Sequence, residues 1–513
     1  MPIVEGTHVT GPLTLDADVC VVGTGAGGGV VAAILAQAGA RVVVLEKGGF
    51  YTAEDFSQRE DDMMTKIEGG NGFTTSVDGT TSFTYGECVG GSTVHYWADT
   101  YPIPDDRLAL WNDEYGVEHT TQSLAPSFTR VREIMHVTRA PESLLNDNNQ
   151  MVRRGMHALG WEKRGEVIEQ ARHGCVGSGY CQQGCAYNAK MSTLITYVPM
   201  ASRAGATILA DVPADEIVLA GRRVRGVRGH VRDRRTHRRG HAVEVRAPRV
   251  VVAAGGIGTP LLLLRSKVPQ KSGLIGKHFV VNPGYVVFGR FEGALDNHRK
   301  PPCTYAIKGF RRVETRSRGG YAQGGWIALA SHQYPGIHAA MLGGFGPAHR
   351  ERMVQYRHLA SLYSVIDDEE TGEVALGPGG HPRLTYQTRG RDVPKVRDFF
   401  SKCAKVLLAA GATEVWLPDE AQTVVRTQAE AEAIAARPID LRGMLCAAPH
   451  LLGTCRMGPR PYHAVVDSWG AVHGVQGLTV ADGSIMPTSI SVDPSLTIMA
   501  MADAIAHRLA AAG

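Results

Sequence analysis

The chain has 513 residues, of which 43% are hydrophobic and 20% charged, and its formal net charge is +4. That composition excludes a disordered chain. So small a charge excess on so long a chain gives no electrostatic case for nucleic acid or an anionic membrane as a main partner. The length exceeds what one hydrophobic core serves, so two lobes or interleaved domains are expected. Met1 to Asp18 lacks a basic start followed by an apolar run, so no signal peptide is expected. The most apolar stretch, Val19 to Leu45, is broken by Gln37, Arg41 and many glycines and does not read as a membrane span. Nine cysteines, an odd and mostly scattered set, predict a reduced, cytoplasmic protein.

In chain order, Asp18-Val-Cys-Val-Val22 reads as a buried strand entering Gly23-Thr-Gly25-Ala-Gly-Gly28. Gly29 to Gly39 reads as a helix closed by glycine, and Arg41-Val-Val-Val-Leu-Glu46 as a second strand, completing a βαβ unit. Residues 52–70 are polar and predict an excursion. Residues 84–101 are Gly-rich and aromatic, Pro126 to Leu159 predicts mostly helix, and residues 172–190 form a Cys/Gly-rich loop. Ile208 to Ala254 alternates strand patterns with short turns. Five arginines between Arg232 and His241 predict a solvated hairpin tip, because no aromatic residues are interleaved to stack on bases. Residues 285–435 alternate apolar and polar and predict a β-rich lobe with helices. Residues 478–511 return to strand, loop and a final helix, so the two ends are expected to build one domain around an inserted lobe.

The first glycines carry a chemical meaning. Gly23 permits the tight turn, Gly25 lets backbone approach a pyrophosphate, and Gly28 allows close helix–strand packing. The helix N-terminus then presents free N–H groups to the phosphate charge. Glu46 follows Gly25 by 21 residues, at the strand end where a carboxylate accepts hydrogen bonds from ribose hydroxyls. The motif predicts a dinucleotide site and does not choose between NAD and FAD.

Further motifs make that choice. They are Tyr85-Gly-Glu-Cys-Val-Gly-Gly-Ser-Thr-Val-His-Tyr-Trp97, Ala253-Ala-Gly-Gly-Ile-Gly-Thr-Pro260 and Pro449-His-Leu-Leu-Gly-Thr-Cys-Arg-Met-Gly458. Near the end, Val465-Val-Asp is followed by Leu478-Thr-Val-Ala-Asp-Gly-Ser-Ile-Met-Pro487 and Asp493-Pro-Ser-Leu-Thr-Ile-Met-Ala-Met-Ala502. From residue 16 to residue 511 the sequence resembles the glucose–methanol–choline (GMC) family of FAD-dependent oxidoreductases. The resemblance implies an α/β fold, α+β overall. A Rossmann-like FAD-binding domain would come from residues 1–284 and 441–513, and a β-sheet substrate domain from residues 285–440.

The resemblance also implies roles by position. Gly23, Gly25, Gly28 and Glu46 would hold the ADP half of FAD, and Gly90, Gly91 and Ser92 would lie along the flavin. Val212 would meet the adenine through its backbone. Asp482 and Gly483 would lie near the pyrophosphate and ribityl chain. Thr497 would sit near the pyrimidine ring, where a positive helix end stabilises charge on reduced flavin. His95 stands four positions after Gly91. At this spacing some members join a His covalently to the flavin, whereas many that hold FAD noncovalently carry Asn, and both readings stay open. His450 would be the general base that takes the hydroxyl proton while the alcohol carbon gives a hydride to flavin N5.

The sequence departs from the family pattern at the second catalytic position, where Asp493 stands in place of the usual Asn or His. An ionised Asp only accepts hydrogen bonds and repels a developing alkoxide. It would also raise the pKa of His450 by charge pairing. Asp493 is therefore protonated, or tunes His450 as a dyad, or points elsewhere. His173, Cys175, Cys181 and Cys185 form a further cluster whose spacing fits no common zinc knuckle, so a structural loop and no metal site are expected. The reading is an FAD-dependent alcohol oxidase or dehydrogenase acting on a sugar, glycoside or other alcohol. Oxygen or another acceptor would reoxidise the flavin. The loop before Asp493 resembles that of sterol and fatty-alcohol oxidases, so a long-chain alcohol or sterol is the alternative substrate. A lyase or isomerase using His450 and Asp493 is the alternative reaction. The oligomeric state is not legible.

Overall fold

The computed structural model describes residues 3–316 and 322–512. Five short strands form a parallel sheet: Val19–Val22 (β1), Val42–Leu45 (β2), Thr207–Leu209 (β3), Arg249–Val252 (β4) and Leu478–Val480 (β5). Their spatial order is β5-β4-β1-β2-β3. β1, β2 and β5 are buried throughout and β4 in all but Arg249, which explains their nearly uninterrupted apolar runs. Helix Gly28–Gln37 (α1) connects β1 to β2, helix Gly255–Arg265 (α2) follows β4, and helix Ser495–Ala511 (α3) packs against α1. The chain runs outward from β1 through β2 to β3 and then crosses back to place β4 on the other side of β1. This reversal opens a crevice at the carboxyl ends of β1 and β4, the place where open parallel sheets bind ligands.

The second large sheet is antiparallel. Its strands are Val424–Val425, Glu414–Trp416, Val286–Arg290, Leu359–Ile366, Trp326–Leu329, Tyr305–Ile307 and Gly165–Val167, in that spatial order. Strand 359–366 is buried throughout and divides its side chains between two cores. Ala360, Leu362 and Ile366 join helices Asp147–Ala158 and Val393–Ala409 in one core. Leu359, Tyr363 and Val365 join the core of the parallel sheet. A strand sandwiched between two layers can do this because its side chains alternate faces. Gly165–Val167 and helix 147–158 come from before residue 285, so this lobe draws on chain ahead of the inserted stretch. Between residues 126 and 159 the chain is mostly helical, as its pattern predicts, with a break where Val137–Arg139 pairs as a strand with Glu169–Ala171.

The arginine-rich segment lies at the turn between antiparallel strands Arg223–Arg232 and Arg239–Arg246. Two of its arginines depart from the expected solvated face, and Arg232 donates from Nη2 to Lys47 O (3.0 Å) and Glu87 Oε1 (2.6 Å). Arg234 folds back, donating from Nε to Asp211 Oδ1 (2.9 Å) and from Nη2 to Asp211 Oδ2 and Glu5 Oε2 (both 2.8 Å), with its guanidinium over the Tyr51 ring. Removing one partner of an ion pair costs most when the other charge is buried, and Asp211 is buried while Arg235 is exposed. Arg234→Ala is therefore expected to lower stability by about 2–3 kcal/mol, and Arg235→Ala by less than about 0.5 kcal/mol. Urea unfolding of the two variants checks the difference.

Candidate active site

A single cavity of about 900 Å³ starts at the crevice beyond β1 and β4 and ends against the antiparallel sheet. At the crevice, backbones approach too closely for any side chain. A Cβ on Gly23 would stand 2.4 Å from Ala253 O, one on Gly28 2.0 Å from Gly23 O, and one on Gly27 1.7 Å from Ala481 O. Gly25 and Gly91 also face each other, since a Cβ on Gly91 would fall 2.8 Å from Gly25 Cα. Thr193 ties these two glycine loops together, its hydroxyl meeting Thr24 O (2.9 Å) and Gly90 O (3.0 Å).

Glu46 is buried in the cavity wall at the end of β2. Its carboxylate accepts from Thr24 N (2.9 Å), Thr24 Oγ1 (2.6 Å) and Gly48 N (2.9 Å). A carboxylate has about four acceptor positions, so one remains for a ligand hydroxyl. Desolvation raises its pKa, partly offset by those hydrogen bonds. Asp482 at the end of β5 is also buried in the wall, and it accepts from Gly255 N (2.8 Å), Thr259 Oγ1 (2.5 Å) and Ser484 N (2.8 Å). It thus clamps the start of α2 to the chain's C-terminal part.

Gly23, Gly25, Glu46, Gly91, Ser92, His95, His450, Asp482, Gly483 and Asp493 all line this one cavity. Four expected residues do not. Gly28 packs behind the turn, and Gly90 uses its N–H on Thr24 Oγ1 (2.9 Å). Val212 lies behind the wall with its N–H donated to Glu46 O (2.8 Å), while Pro213 and Ala214 take the lining position. Thr497 is buried inside α3, and Ser495 and Ile498 face the cavity instead. The helical repeat puts residues 495 and 498 on one face and turns residue 497 away.

At the far end, His450 follows strand Cys446–Ala448, which pairs with Thr81–Phe83, and precedes Leu452, which bridges to Val280. Asp493 ends a loop pinned by Asn282 Nδ2 on Ser489 Oγ (2.7 Å) and Arg311 Nη1 on Ser491 Oγ (3.0 Å). The two pinned segments bring His450 Nε2 to 3.2 Å from Asp493 Oδ1. His450 Nδ1 and Asp493 Oδ2 are buried without a protein partner. Of the three readings of Asp493, the geometry is that of a pair with His450.

His95 ends a one-turn helix, Ser92–His95, started by Gly90 and Gly91 at φ +98° and +53°. Its ring is buried, both nitrogens lack a protein partner, and burial together with nearby Lys190 lowers its pKa to about 3. The ring is therefore neutral. Lys190 is itself buried, donating from Nζ to Val94 O, to Tyr96 O (3.0 Å) and to Cys181 O (2.7 Å), and burial lowers its pKa to about 7.

Sequence reasoning missed Asp99. It is 4% exposed, lines the cavity, and accepts from Gln170 Nε2 at Oδ1 (3.0 Å), leaving Oδ2 unpartnered. Burial and the neighbouring Asp493 push its carboxyl well above the usual range. A lone acid four residues after His95 carries no pattern, so nothing short of the fold marks it. The cysteine loop binds protein donors. Cys181 Sγ accepts from Arg172 Nη1 (3.2 Å), and Cys185 Sγ accepts from Ala189 N (3.4 Å). Among the described residues, no group of three or more His, Cys, Asp or Glu side chains could hold a metal ion.

A glycine-lined crevice at a strand-order reversal, continuous with a buried His–Asp pair, defines a dinucleotide-dependent oxidoreductase. The narrow backbone cradle fits a pyrophosphate, and the unpartnered atoms of His450 and Asp493 fit the polar edge of a flavin with its substrate. Comparison with known proteins makes the class specific. The family models for GMC oxidoreductases match residues 64–284 and 368–502, and the chain belongs to that family. Its cofactor is FAD. An uncharacterised GMC-type oxidoreductase of Mycobacterium tuberculosis is 29% identical over 503 residues, covering 98% of this chain and 77% of the relative. A long-chain-alcohol oxidase of Arabidopsis thaliana is 28% identical, covering 96% and 67%. A 2-methyl-1,2-propanediol dehydrogenase of Mycolicibacterium austroafricanum is 26% identical, covering 94% and 93%. Among solved structures, pyridoxine 4-oxidase from Mesorbium loti superposes with a TM-score of 0.71 at 18% identity, covering 96% of this chain and 98% of that one. Among the described residues no helix is long and apolar enough to cross a membrane.

Gly27→Ala would drive a methyl group into Ala481 O, which is backbone and cannot step aside. The expected outcome is a chain that has lost most of its flavin, or that unfolds at least about 3 kcal/mol more easily. The ratio of flavin to protein absorbance after purification, followed by urea unfolding, checks it.

Proposed function

We propose that this protein oxidises an alcohol CH–OH group, with His450 taking the hydroxyl proton. The observation that carries the reading is the His450–Asp493 contact of 3.2 Å in the same cavity as the glycine cradle. Similarity along nearly the whole chain to a long-chain-alcohol oxidase and a diol dehydrogenase supports it. When bound, FAD supplies the hydride acceptor. A neutral imidazole suits removal of the hydroxyl proton near neutral pH. The Asp493 carboxylate stabilises the imidazolium that this step leaves, as a carboxylate beside a histidine base does. It also repels the alkoxide, so the proton must reach His450 as the hydride departs rather than beforehand.

In the same reading, Gly23, Gly25 and Glu46 hold the ADP half of FAD, Gly91 and Ser92 lie along the flavin, and Asp482 and Gly483 lie near the pyrophosphate. His95 is the point of covalent attachment, because its neutral ring keeps lone-pair nitrogen free of protein partners. Nine free thiols fit a reducing, cytoplasmic compartment.

Anaerobic bleaching of the flavin by alcohols, and recolouring in air, tests the main reading. Conversion of substrate with the flavin still oxidised would replace it with lyase or isomerase chemistry. His450→Ala is expected to lower kcat/KM about 10²–10⁴-fold with FAD retained. Asp493→Asn is expected to keep FAD and lose about tenfold or more in kcat/KM, since a neutral amide no longer balances the charge of the imidazolium that proton transfer leaves. Acid precipitation is expected to leave the yellow colour in the protein pellet, and His95→Asn to release it into the supernatant.

A further inference from the structure

Resting on the alcohol-oxidising reading, we infer that the substrate is an amine-bearing, polyhydroxy alcohol of the amino-sugar kind, whose ammonium group is bound by Asp99 beside Asp493. Asp99 and Asp493 line the same cavity, Ser495 Oγ donates to Asp99 O (3.1 Å) two residues on from Asp493, and each carboxyl group keeps one oxygen, Oδ2, buried without a protein partner. A neutral alkyl chain laid against them would leave both oxygens desolvated and unbonded, which is costly. An ammonium group supplies three donors and a positive charge that favours the ionised form of the Asp99 carboxyl.

The surrounding charges fit this assignment. The chain as a whole is +4, yet the lysines and arginines lining the cavity lie elsewhere or are committed. Lys47 and Arg232 both pair with Glu87 at 2.6 Å. Arg265 ends α2, whose first turn packs Gly256 on Leu451 O beside His450. Eleven helical residues put its backbone roughly 15 Å away from that turn. Arg172, behind Asp99, donates to Gln170 Oε1 (3.0 Å), Trp97 O (2.6 Å) and Cys181 Sγ (3.2 Å). It touches Asp99 only through its longer-range field. Neutral His95 adds no positive charge.

The remaining wall is mixed, with apolar Met64, Phe73, Ile337 and Met341 beside groups that can hold a hydroxylated cation. Trp97 and Tyr363 meet edge-on with ring centroids 5.7 Å apart, and both line the cavity, as do the Gln182 and Gln333 amides. Aromatic faces attract ammonium groups and stack on sugar rings. Amides pair with hydroxyls. Oxidation converts the carbinol to a carbonyl, with its hydride passing to FAD and its hydroxyl proton to His450. The amine is unchanged.

The test compares glucosamine and the deacetylated disaccharide of chitin with their N-acetylated forms, glucose and 1-dodecanol. Holoenzyme is titrated with each at equilibrium, by the change in flavin absorbance or by calorimetry, and is then mixed with each anaerobically. At least one free amine is expected to bind at least about tenfold more tightly than its N-acetyl counterpart. Asp99→Asn, which keeps the acceptor for Gln170, is expected to abolish that ratio with FAD retained, and Asp99→Glu to restore part of it. Equal or tighter binding of the N-acetylated forms or dodecanol, or a ratio unmoved by Asp99→Asn, overturns the inference. Bleaching by neutral alcohols without an amine preference overturns it and leaves alcohol oxidation standing. An amine preference in binding with no bleaching by any alcohol overturns the alcohol-oxidising reading instead.

Discussion

The structure depends on one close approach of backbones. Gly27 leaves room for Ala481 O where no Cβ fits, and so the end of β5 docks onto the start of α1. This contact joins residues more than 450 positions apart in the chain. The cost of ordering so distant a contact is offset by burial of the sheet's continuous apolar strands and by packing of α1 on α3. Once β5 is in place, Asp482 clamps α2, and the loop leading to Asp493 is fixed against Asn282 and Arg311. The glycine cradle and the His–Asp pair are thus two ends of one rigid construction rather than two separate sites.

The same construction sets the electrostatics. Burial acts on every ionisable group around the cavity, but its sign depends on the group. It keeps His95 neutral, lowers the pKa of Lys190, and raises that of Asp99 with help from Asp493. Lys190 is tolerated because three backbone carbonyls accept from its ammonium group. Asp99 is only half satisfied, by Gln170. Native proteins pair most buried polar atoms, so an unpaired one that faces a cavity is open to a ligand that completes it. The unpartnered atoms of His95, Asp99, His450 and Asp493 follow that rule.

The antiparallel sheet closes the cavity through alternation. Strand 359–366 sends Tyr363 toward the cavity and Leu362 toward the helices behind. The floor of the site and the core of the second lobe are therefore built by neighbouring residues of one strand. A change on either face must be accommodated by a strand buried on both.

Local sequence determined the βαβ unit, the glycine turn and Glu46, because hydrophobic period, tight-turn glycines and strand-end acids are short-range signals. The resemblance of the surrounding motifs to the GMC family pointed to His95, His450 and Asp493 as candidates. Tertiary structure alone decided three further matters. Residues 495 and 498, rather than 497, face the cavity, since a helix's rotation is set by what it packs against. Arg234 turns inward onto Asp211 and Glu5, partners 23 and 229 positions away. Asp99 lines the same cavity as Asp493, its carbonyl accepting from Ser495 Oγ 396 positions away. These depend on where separate elements come to rest in space, and no local period or spacing encodes that.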